Sequence, residues 1–417
     1  LLGILTNEEH PGHAVLAKGN VRVTVDDASM LEDTATKAYG WECNTESLRA
    51  AAAGNSELTQ ITDLLQLWME KTRFGQDVRY LTISDLQSPE AQGLRKQIEK
   101  FSGTLTEQAE QLLHDARNIL DSDNLTHRIA WIELWQNGTL VLSSVPERIG
   151  MLLKKDLFDQ AATTLLIPQG SANHLPEILP PGGGAKTKLI SHNEKIDLPL
   201  TIDTELPLET ILSTPPEGKT ILLVPSRSLA ESLYVQNLEK FEAMGGTLIC
   251  QGVSGGQGRM QAEFLAAKSP VIWIQTPFSF EGIDLPAGSI DRLILKALPF
   301  DHPSHTILSR RAQNYGNAFE DYLLPRLQHR LFRILRAFCR MRAEGAGVTV
   351  LDDRLEKKEY GQRLTRYLLL ISGNSDLPAD TAVPRTAKPK SAPKVTKETS
   401  AKKPRKKKAS DTQLPLL

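Results

Sequence analysis

The chain has 417 residues, of which 40% are hydrophobic and 24% are charged, and its formal net charge is −1. This is the composition of an ordinary globular protein with enough length for two or more cores. Its three widely separated cysteines encode neither a disulfide framework nor a four-ligand metal site, and no apolar run is long enough to cross a membrane. We therefore expect a cytoplasmic protein in a reducing setting, with no membrane segment.

The first half of the chain predicts a strand, a helical block and a hairpin. Residues 21–25 (VRVTV) are typical of a short buried strand, and apolar side chains then recur at helical spacing from about residue 40 to residue 127. Residues 129–142 predict a hairpin with Asn137-Gly138 as its two-residue turn. A strand at 164–167 leads into a linker rich in Pro and Gly at 180–185.

The second half of the chain alternates between strands and helices. Its predicted strands lie at 220–224, 247–250, 271–275, 292–296 and 348–351, and its predicted helices include 228–244 and 258–268. Alternation of this kind favours a parallel α/β sheet with crossover helices.

Polar residues follow several of these strands. Asp26 and Asp27 come after the first strand, Ser226 follows the strand at 220–224, and Thr276 follows the one at 271–275. Ligands of parallel sheets gather at the carboxyl ends of strands, although each residue taken alone is also an ordinary turn or helix cap.

Arg333 and Arg336 lie three residues apart in the helical pattern of residues 327–336. That spacing places both guanidinium groups on one face of a helix, where they can reach a common anion. A nucleotide hydrolase needs such a pair to stabilise the phosphoryl group that it transfers. A solvated basic face is the alternative interpretation.

Together these motifs resemble, in order, those of the DinG-like, XPD-related superfamily 2 DNA helicases. The resemblance is found at 23–35 (VTVDDASMLEDTA, the Walker B strand and DEAH box with the helix start that follows), 165–173, 220–229, 275–300, 327–336 and 348–354. It implies RecA-like α/β motor domains, the first partial and the second complete, and the helical block occupies the place of the arch domain. The expected division is 1–39 for part of the first motor, 40–127 for the insertion, 128–190 for the return to the first motor and the linker, 191–371 for the second motor, and 372–417 for a disordered tail.

The resemblance also implies roles for individual residues. Asp26 would hold the Mg²⁺ that accompanies ATP, Asp27 would polarise the attacking water, and Arg333 and Arg336 would act as arginine fingers. Coupling of the nucleotide to DNA would involve Ser171, Glu281, Gly282, Asp284 and His329. Ser226 and Thr276 would contact the DNA backbone, as hydroxyls that position a strand without reading its sequence.

The sequence departs from the family at several of these points. Asp27 stands where the family has Glu, so its carboxylate is set back by about 1.5 Å, and Ser29 replaces a His. No Gly-x-x-x-x-Gly-Lys-Ser/Thr phosphate loop occurs in the 417 residues, because residues 182–187 (GGGAKT) lack the required Gly. By resemblance, we expect the phosphate loop and any iron–sulfur cysteines to lie before residue 1, so an iron–sulfur cluster is not encoded in this portion.

The carboxyl-terminal tail has a distinct composition. Residues 372–417 carry eleven Lys and Arg against four Asp and Glu, which is typical of a disordered segment that is either solubilising or attracted to nucleic acid. The final residues Gln413, Leu414, Leu416 and Leu417 resemble a bacterial sliding-clamp-binding peptide, and a chance apolar terminus is the alternative.

Two functional classes follow from the sequence. The first is an ATP-dependent helicase acting on single-stranded or forked DNA, for which the family resemblance implies movement from 5′ to 3′. The second is a non-catalytic DNA-binding or clamp-tethered protein whose degenerate DEAH box no longer supports hydrolysis.

Overall fold

The computed structural model describes residues 22–135, 137–167, 187–191, 197–302 and 305–373. Its strands are β1 Arg22–Val25, β2 Trp41–Asn44, β3 Val78–Tyr80, β4 Arg128–Leu134, β5 Leu140–Pro146, β6 Ala162–Ile167, β7 Thr187–Ser191, β8 Leu200–Ile202, β9 Lys219–Leu223, β10 Thr247–Cys250, β11 Val271–Gln275, β12 Ile290–Leu295 and β13 Arg342–Val350.

The α-helices surround three separate sheets. They are Leu31–Ala38, Thr45–Ala51, Ser56–Arg73, Ile83–Leu86, Pro89–Lys100, Glu107–Ile119, Gly150–Leu153, Leu208–Ser213, Arg227–Ala243, Gln257–Ala266, Pro277–Glu281, Thr306–Ala312, Leu324–Met341, Arg354–Lys357 and Gly361–Ile371. Short 3₁₀ turns occur at Ala28–Met30 and Asn124–His127, and π-helical turns at Lys154–Phe158 and Phe319–Leu323. None of the described helices is long and apolar enough to cross a membrane.

The amino-terminal sheet consists of β1, β6 and β7, which run parallel in the order β1-β6-β7. Its core contains Val23 and Leu165 from neighbouring strands, packed against Ile149 and Phe158 from the segment that precedes β6. The chain leaves β1 through Asp26 and Asp27 and enters the helix Leu31–Ala38. The first predicted strand thus ends where the acidic pair begins.

The insertion has its own antiparallel sheet, in the order β2-β5-β4-β3, and its helices pack against that sheet. Two strands, β2 and β3, lie within the segment that the sequence predicted to be helical. They have only four and three residues, which is too short for an alternating pattern to be recognised, and they form by pairing with the hairpin.

The hairpin of β4 and β5 lies in this insertion sheet. The predicted domain division places it in the segment 128–190 that returns to the first motor domain, whereas its strands pair with β2 and β3 and not with β1. Its turn is also longer than the predicted two residues, because the Trp135 N–H donates to the Thr139 carbonyl at 2.9 Å. Residues 40–127 have a helical pattern, which does not predict that two short strands within them, β2 and β3, pair with the hairpin.

The carboxyl-terminal sheet has six parallel strands in the order β10-β11-β9-β12-β13-β8. Both of its faces are covered, so its central strands are continuous apolar runs rather than alternating ones. Trp273 of β11 is fully buried against Phe264 on one face, while Ile274 packs with Leu222 on the other. The helix Leu324–Met341, hereafter the arginine helix, buries Leu331 and Phe338 in this core.

Arg311, on the helix Thr306–Ala312, joins segments that belong to the three sheet-containing parts of the chain. Its side chain is completely buried and donates to Glu32 Oε1 at 3.0 Å, to the Pro146 carbonyl at 3.0 Å and to the Glu147 carbonyl at 3.1 Å. Glu32 follows β1, Pro146 ends β5, and Arg311 itself belongs to the segment between β12 and β13. One guanidinium therefore connects the part of the chain around the amino-terminal sheet, the insertion sheet, and the part around the carboxyl-terminal sheet. We call the first and the last of these the amino-terminal unit and the carboxyl-terminal unit.

Replacing Arg311 with Met should lower the free energy of unfolding by about 3–5 kcal/mol, because a buried carboxylate and two carbonyls lose their donor. Arg310→Met is the matched control: Arg310 is exposed on the same helix and donates to Gln313, so its replacement should stay within about 0.5 kcal/mol. Urea unfolding followed by circular dichroism measures both variants. Equal stability of the two variants would contradict this account.

Candidate functional site

The arginine helix carries four arginines along one face. Arg326, Arg330, Arg333 and Arg336 follow each other at spacings of four, three and three residues, which keeps them within a single stripe. The opposite face supplies apolar side chains to the core of the carboxyl-terminal sheet. The stripe is therefore directed away from that core, and it contacts the residues that follow β1.

Ser29 connects the acidic pair to the arginine helix. Asp27 caps the 3₁₀ turn that follows β1, accepting from the Ser29 N–H at 3.0 Å and from the Ser29 hydroxyl at 2.5 Å. Arg333 Nη1 donates to the same Ser29 oxygen at 2.9 Å. Ser29 thus forms a direct link between the acidic pair and the arginine helix.

Arg333 also forms a hydrogen bond within the carboxyl-terminal unit. Its Nε donates to Glu281 Oε2 at 2.8 Å, so Glu281 and Ser29 together orient the guanidinium. Arg330 contributes a second, longer contact to the same carboxylate, at 3.5 Å. The predicted coupling residue Glu281 therefore lies beside the predicted arginine finger.

Asp26 lies opposite Arg336, with 3.6 Å between Oδ2 and Nη1, and three quarters of its side chain is exposed. Among the described residues, no group of three or more His, Cys, Asp or Glu could hold a metal ion. A Mg²⁺ ion that accompanies a nucleotide typically has one or two protein carboxylates, with phosphate and water oxygens completing its shell. The exposed Asp26 carboxylate at the end of a strand fits that requirement.

A buried ionic cluster lies next to the region where Arg333 and Arg336 face Ser29 and Asp26, which we call the cleft. Glu32 accepts from Arg311 at 3.0 Å, from Arg326 at 3.0 Å and from the Tyr322 hydroxyl at 2.5 Å. Arg326 also binds Asp33 at 3.0 Å. Burial lowers the pKa of Arg326, but the surrounding carboxylates outweigh it and raise that pKa above its usual value, while burial and Glu32 raise the pKa of Tyr322.

Sequence reasoning assigned no role to this cluster, although two signals were present. Glu32 and Asp33 lie in the helix start that follows the DEAH-like box, and Arg326 lies at helical spacing from Arg330 and Arg333. Arg311 carried no such signal.

Asp301 extends the cluster towards the cleft. It accepts from Arg326 at 2.9 Å and from Arg330 at 2.8 Å. Burial raises the pKa of Asp301, but the two arginines outweigh burial and hold it below its usual value. The Asp301 carboxylate therefore lies between the two guanidinium groups, pairs with both, and remains ionised.

The carboxyl ends of β9 and β11 bring Ser226 and Thr276 to the same edge of the carboxyl-terminal sheet. Ser226 caps the helix Arg227–Ala243 by accepting from the Leu229 N–H at 3.2 Å, and its own hydroxyl hydrogen can still be donated. The Thr276 N–H and hydroxyl both donate to Gln251 Oε1, at 2.9 and 3.1 Å. We call this edge of the sheet, which carries Ser226, Thr276 and Gln251, the carboxyl edge.

The remaining predicted site residues have varied surroundings. The Gly282 carbonyl accepts from Gln257 at 3.0 Å, and a Cβ on Gly282 would have ordinary contacts, so the glycine is not required for space. Asp284 is exposed, whereas His329 is buried. Ser171 and the terminal residues Gln413, Leu414, Leu416 and Leu417 lie outside the described residues, so their roles stay predictions.

Comparisons with known proteins find similarity to helicases. Residues 208–369 match the helicase C-terminal domain family. The chain is 24% identical over 151 residues to the 3′-5′ exonuclease DinG of Bacillus subtilis, which covers 35% of this chain and 16% of that protein. It is 24% identical over 165 residues to the ATP-dependent DNA helicase YoaA of Haemophilus influenzae, covering 39% of this chain and 25% of that one. The chain therefore spans about a quarter or less of these relatives.

A solved structure of XPD helicase has the same fold. It superposes with a TM-score of 0.55 at 13% identity and covers 88% of this chain and 71% of the XPD chain. Parallel α/β sheets of the RecA-like helicase type are thus confirmed as the fold class.

The stabilising effect of Asp301 should depend on pH. Because its pKa is lowered in the folded state, the stabilisation is fully present above the ordinary pKa of about 4 and is lost as the pH falls through the lowered value. Asp301→Asn should therefore be clearly less stable than the wild type at neutral pH, and the difference should shrink below about pH 4. Urea unfolding across this pH range measures the difference. A difference that stays constant at acidic pH would refute the assignment.

Proposed function

We propose that this chain, which is similar to DinG/XPD-like superfamily 2 helicases at low sequence identity, is the motor part of an ATP-dependent DNA helicase. It would couple ATP hydrolysis to movement on single-stranded or forked DNA. One observation carries the proposal. The arginine helix of the carboxyl-terminal unit faces the acidic pair after β1 of the amino-terminal unit, where Arg333 contacts Ser29 and Arg336 lies 3.6 Å from Asp26.

The contacts in the cleft suggest how its residues share the work. Arg333 and Arg336 would stabilise negative charge on the transferred phosphoryl group, and that group would compete with Ser29 and Asp26 for their guanidiniums. Asp27 would orient the attacking water. A Mg²⁺ ion held by Asp26 would supply charge neutralisation at the phosphates.

The nucleotide site also needs a phosphate-binding loop, which these 417 residues do not encode. The proposal therefore assigns to this chain the carboxylates and the arginines of the site, and not its phosphate cradle. Two further parts of the proposal rest on the sequence alone: the cytoplasmic setting, and tethering to a sliding clamp by the carboxyl-terminal tail.

DNA would lie along the carboxyl edge. Ser226 offers an exposed hydroxyl, and Gln251 fixes the orientation of Thr276, so both can position a phosphodiester backbone without reading bases. Glu281, which holds Arg333, lies on the short helix that begins after Thr276. This helix would connect the DNA edge to the nucleotide cleft.

A second candidate is a DNA-binding protein that does not hydrolyse ATP. The observation that favours it is the helix-capping role of Asp27, whose carboxylate already accepts two hydrogen bonds from Ser29 and is shorter than the Glu that the family has at this position. Misplacement of a catalytic group by about 1 Å can reduce a rate about 100-fold. The two candidates differ in their ATP turnover and agree in their DNA binding.

The motor function predicts a strict requirement for Arg336. In a protein that carries this chain together with a phosphate loop, Arg336→Ala should lower DNA-stimulated ATP turnover by about 10³, the usual effect of losing an arginine finger. Arg340→Ala, an exposed arginine on the same helix, should leave turnover unchanged. Near-normal turnover of Arg336→Ala would favour the non-catalytic candidate.

DNA binding by the chain itself should be independent of sequence and sensitive to salt. An oligothymidine should bind at about 50 mM salt and much more weakly at about 200 mM, since cation release from phosphates drives such binding. Replacing Ser226 and Thr276 together with Ala should weaken binding about tenfold, as expected for lost hydrogen bonds to a charged group. Fluorescence anisotropy measures both effects. Binding that ignores salt would rule out a phosphate-directed interface.

A further inference from the structure

We propose that Phe278 is a stacking platform for an unpaired nucleobase at the carboxyl edge. This inference rests on the proposed DNA-binding function and deepens it, because it names the residue that would distinguish single-stranded from duplex DNA. It is independent of nucleotide hydrolysis.

Phe278 is unusual for its exposure. Its side chain is 79% exposed, the highest fraction among the exposed large hydrophobic residues of the described chain, while Phe280 on the same short helix is fully buried. Gln275, just before this helix, is also fully buried. The segment is therefore anchored on both sides of Phe278, so its ring is held in solvent by the backbone and cannot turn into the core.

Exposed cations share this edge with Phe278. Thr276, two residues before Phe278, is hydrogen-bonded to Gln251. Gly252, which follows Gln251 in the chain, lies against the guanidinium of Arg227. A Cβ at Gly252 would be 2.5 Å from Arg227 Nη2, and this position has a φ of +82°, so only glycine suits both the backbone and the contact. Arg227 remains largely exposed beside Glu231.

Arg259 adds a second cation to the same loop. Its Cδ would lie 2.9 Å from a Cβ on Gly255, which places the stem of the arginine against the loop after β10. The carboxyl edge therefore combines two arginines, two hydroxyl groups and one exposed aromatic ring.

This combination fits a single strand of nucleic acid better than a duplex. Arginines and hydroxyls contact the phosphodiester backbone, and an aromatic ring stacks on a base of any sequence. In a duplex every base already stacks on its neighbours, so no base face is open to Phe278. The ring should therefore favour single strands without favouring a particular base.

The test compares binding of an oligothymidine and of a duplex of equal length by fluorescence anisotropy. Phe278→Ala should weaken single-strand binding about tenfold or more and leave duplex binding unchanged. Phe278→Trp should retain the affinity, and the emission of the new tryptophan should be quenched by the single strand. Val235→Ala is the control, because Val235 is similarly exposed but lies about 12 Å further along the helix Arg227–Ala243.

Each outcome separates the inference from the proposed function. If Phe278→Ala binds like the wild type while Arg227→Ala binds more weakly, the stacking role is overturned and DNA binding stands. If Phe278→Ala loses single-strand and duplex binding equally, the ring only supports the fold of the edge and the inference also fails. If the wild type binds no single strand at low salt, the DNA-binding function itself is wrong.

Discussion

The buried carboxylate of Glu32 is the interaction on which the rest of the arrangement depends. Two arginines and a tyrosine from the carboxyl-terminal unit converge on this one side chain of the amino-terminal unit. A carboxylate that is removed from water is tolerated only when its oxygens are fully satisfied. The convergence therefore fixes which face of the arginine helix lies against β1, and it places Arg333 and Arg336 beside Asp27 and Asp26.

Much of the fold could be predicted because its signals are local. Strands such as β10 and β11 are continuous apolar runs between helical patterns, and their predicted bounds agree with the structure. The insertion sheet could not be predicted in the same way. Its outer strands have few residues of their own and exist because the hairpin pairs with them, so the hairpin was assigned to the wrong neighbour.

The candidate site divides along the same line. Motif resemblance and helical spacing predict site roles for Asp26, Asp27, Arg333 and Arg336, and the structure places these four residues close together. The pairing of Arg311 with Glu32 joins positions that are 279 residues apart, and no periodicity in the sequence connects them. Whether a buried arginine meets a carboxylate or a carbonyl is decided by packing between units, which a single sequence does not display.

The helix Thr306–Ala312 has a mechanical consequence. Ile307 packs against the apolar cluster of the insertion sheet, the Ser309 hydroxyl lies 3.2 Å from the Tyr80 hydroxyl, and Arg311 binds both the end of β5 and Glu32. A tilt of the insertion would therefore pull on the same guanidinium that secures the first helix after β1. Such a displacement would cost the hydrogen bonds that Arg311 makes to the end of β5 or to Glu32, so the positions of the insertion and of the residues after β1 are energetically linked.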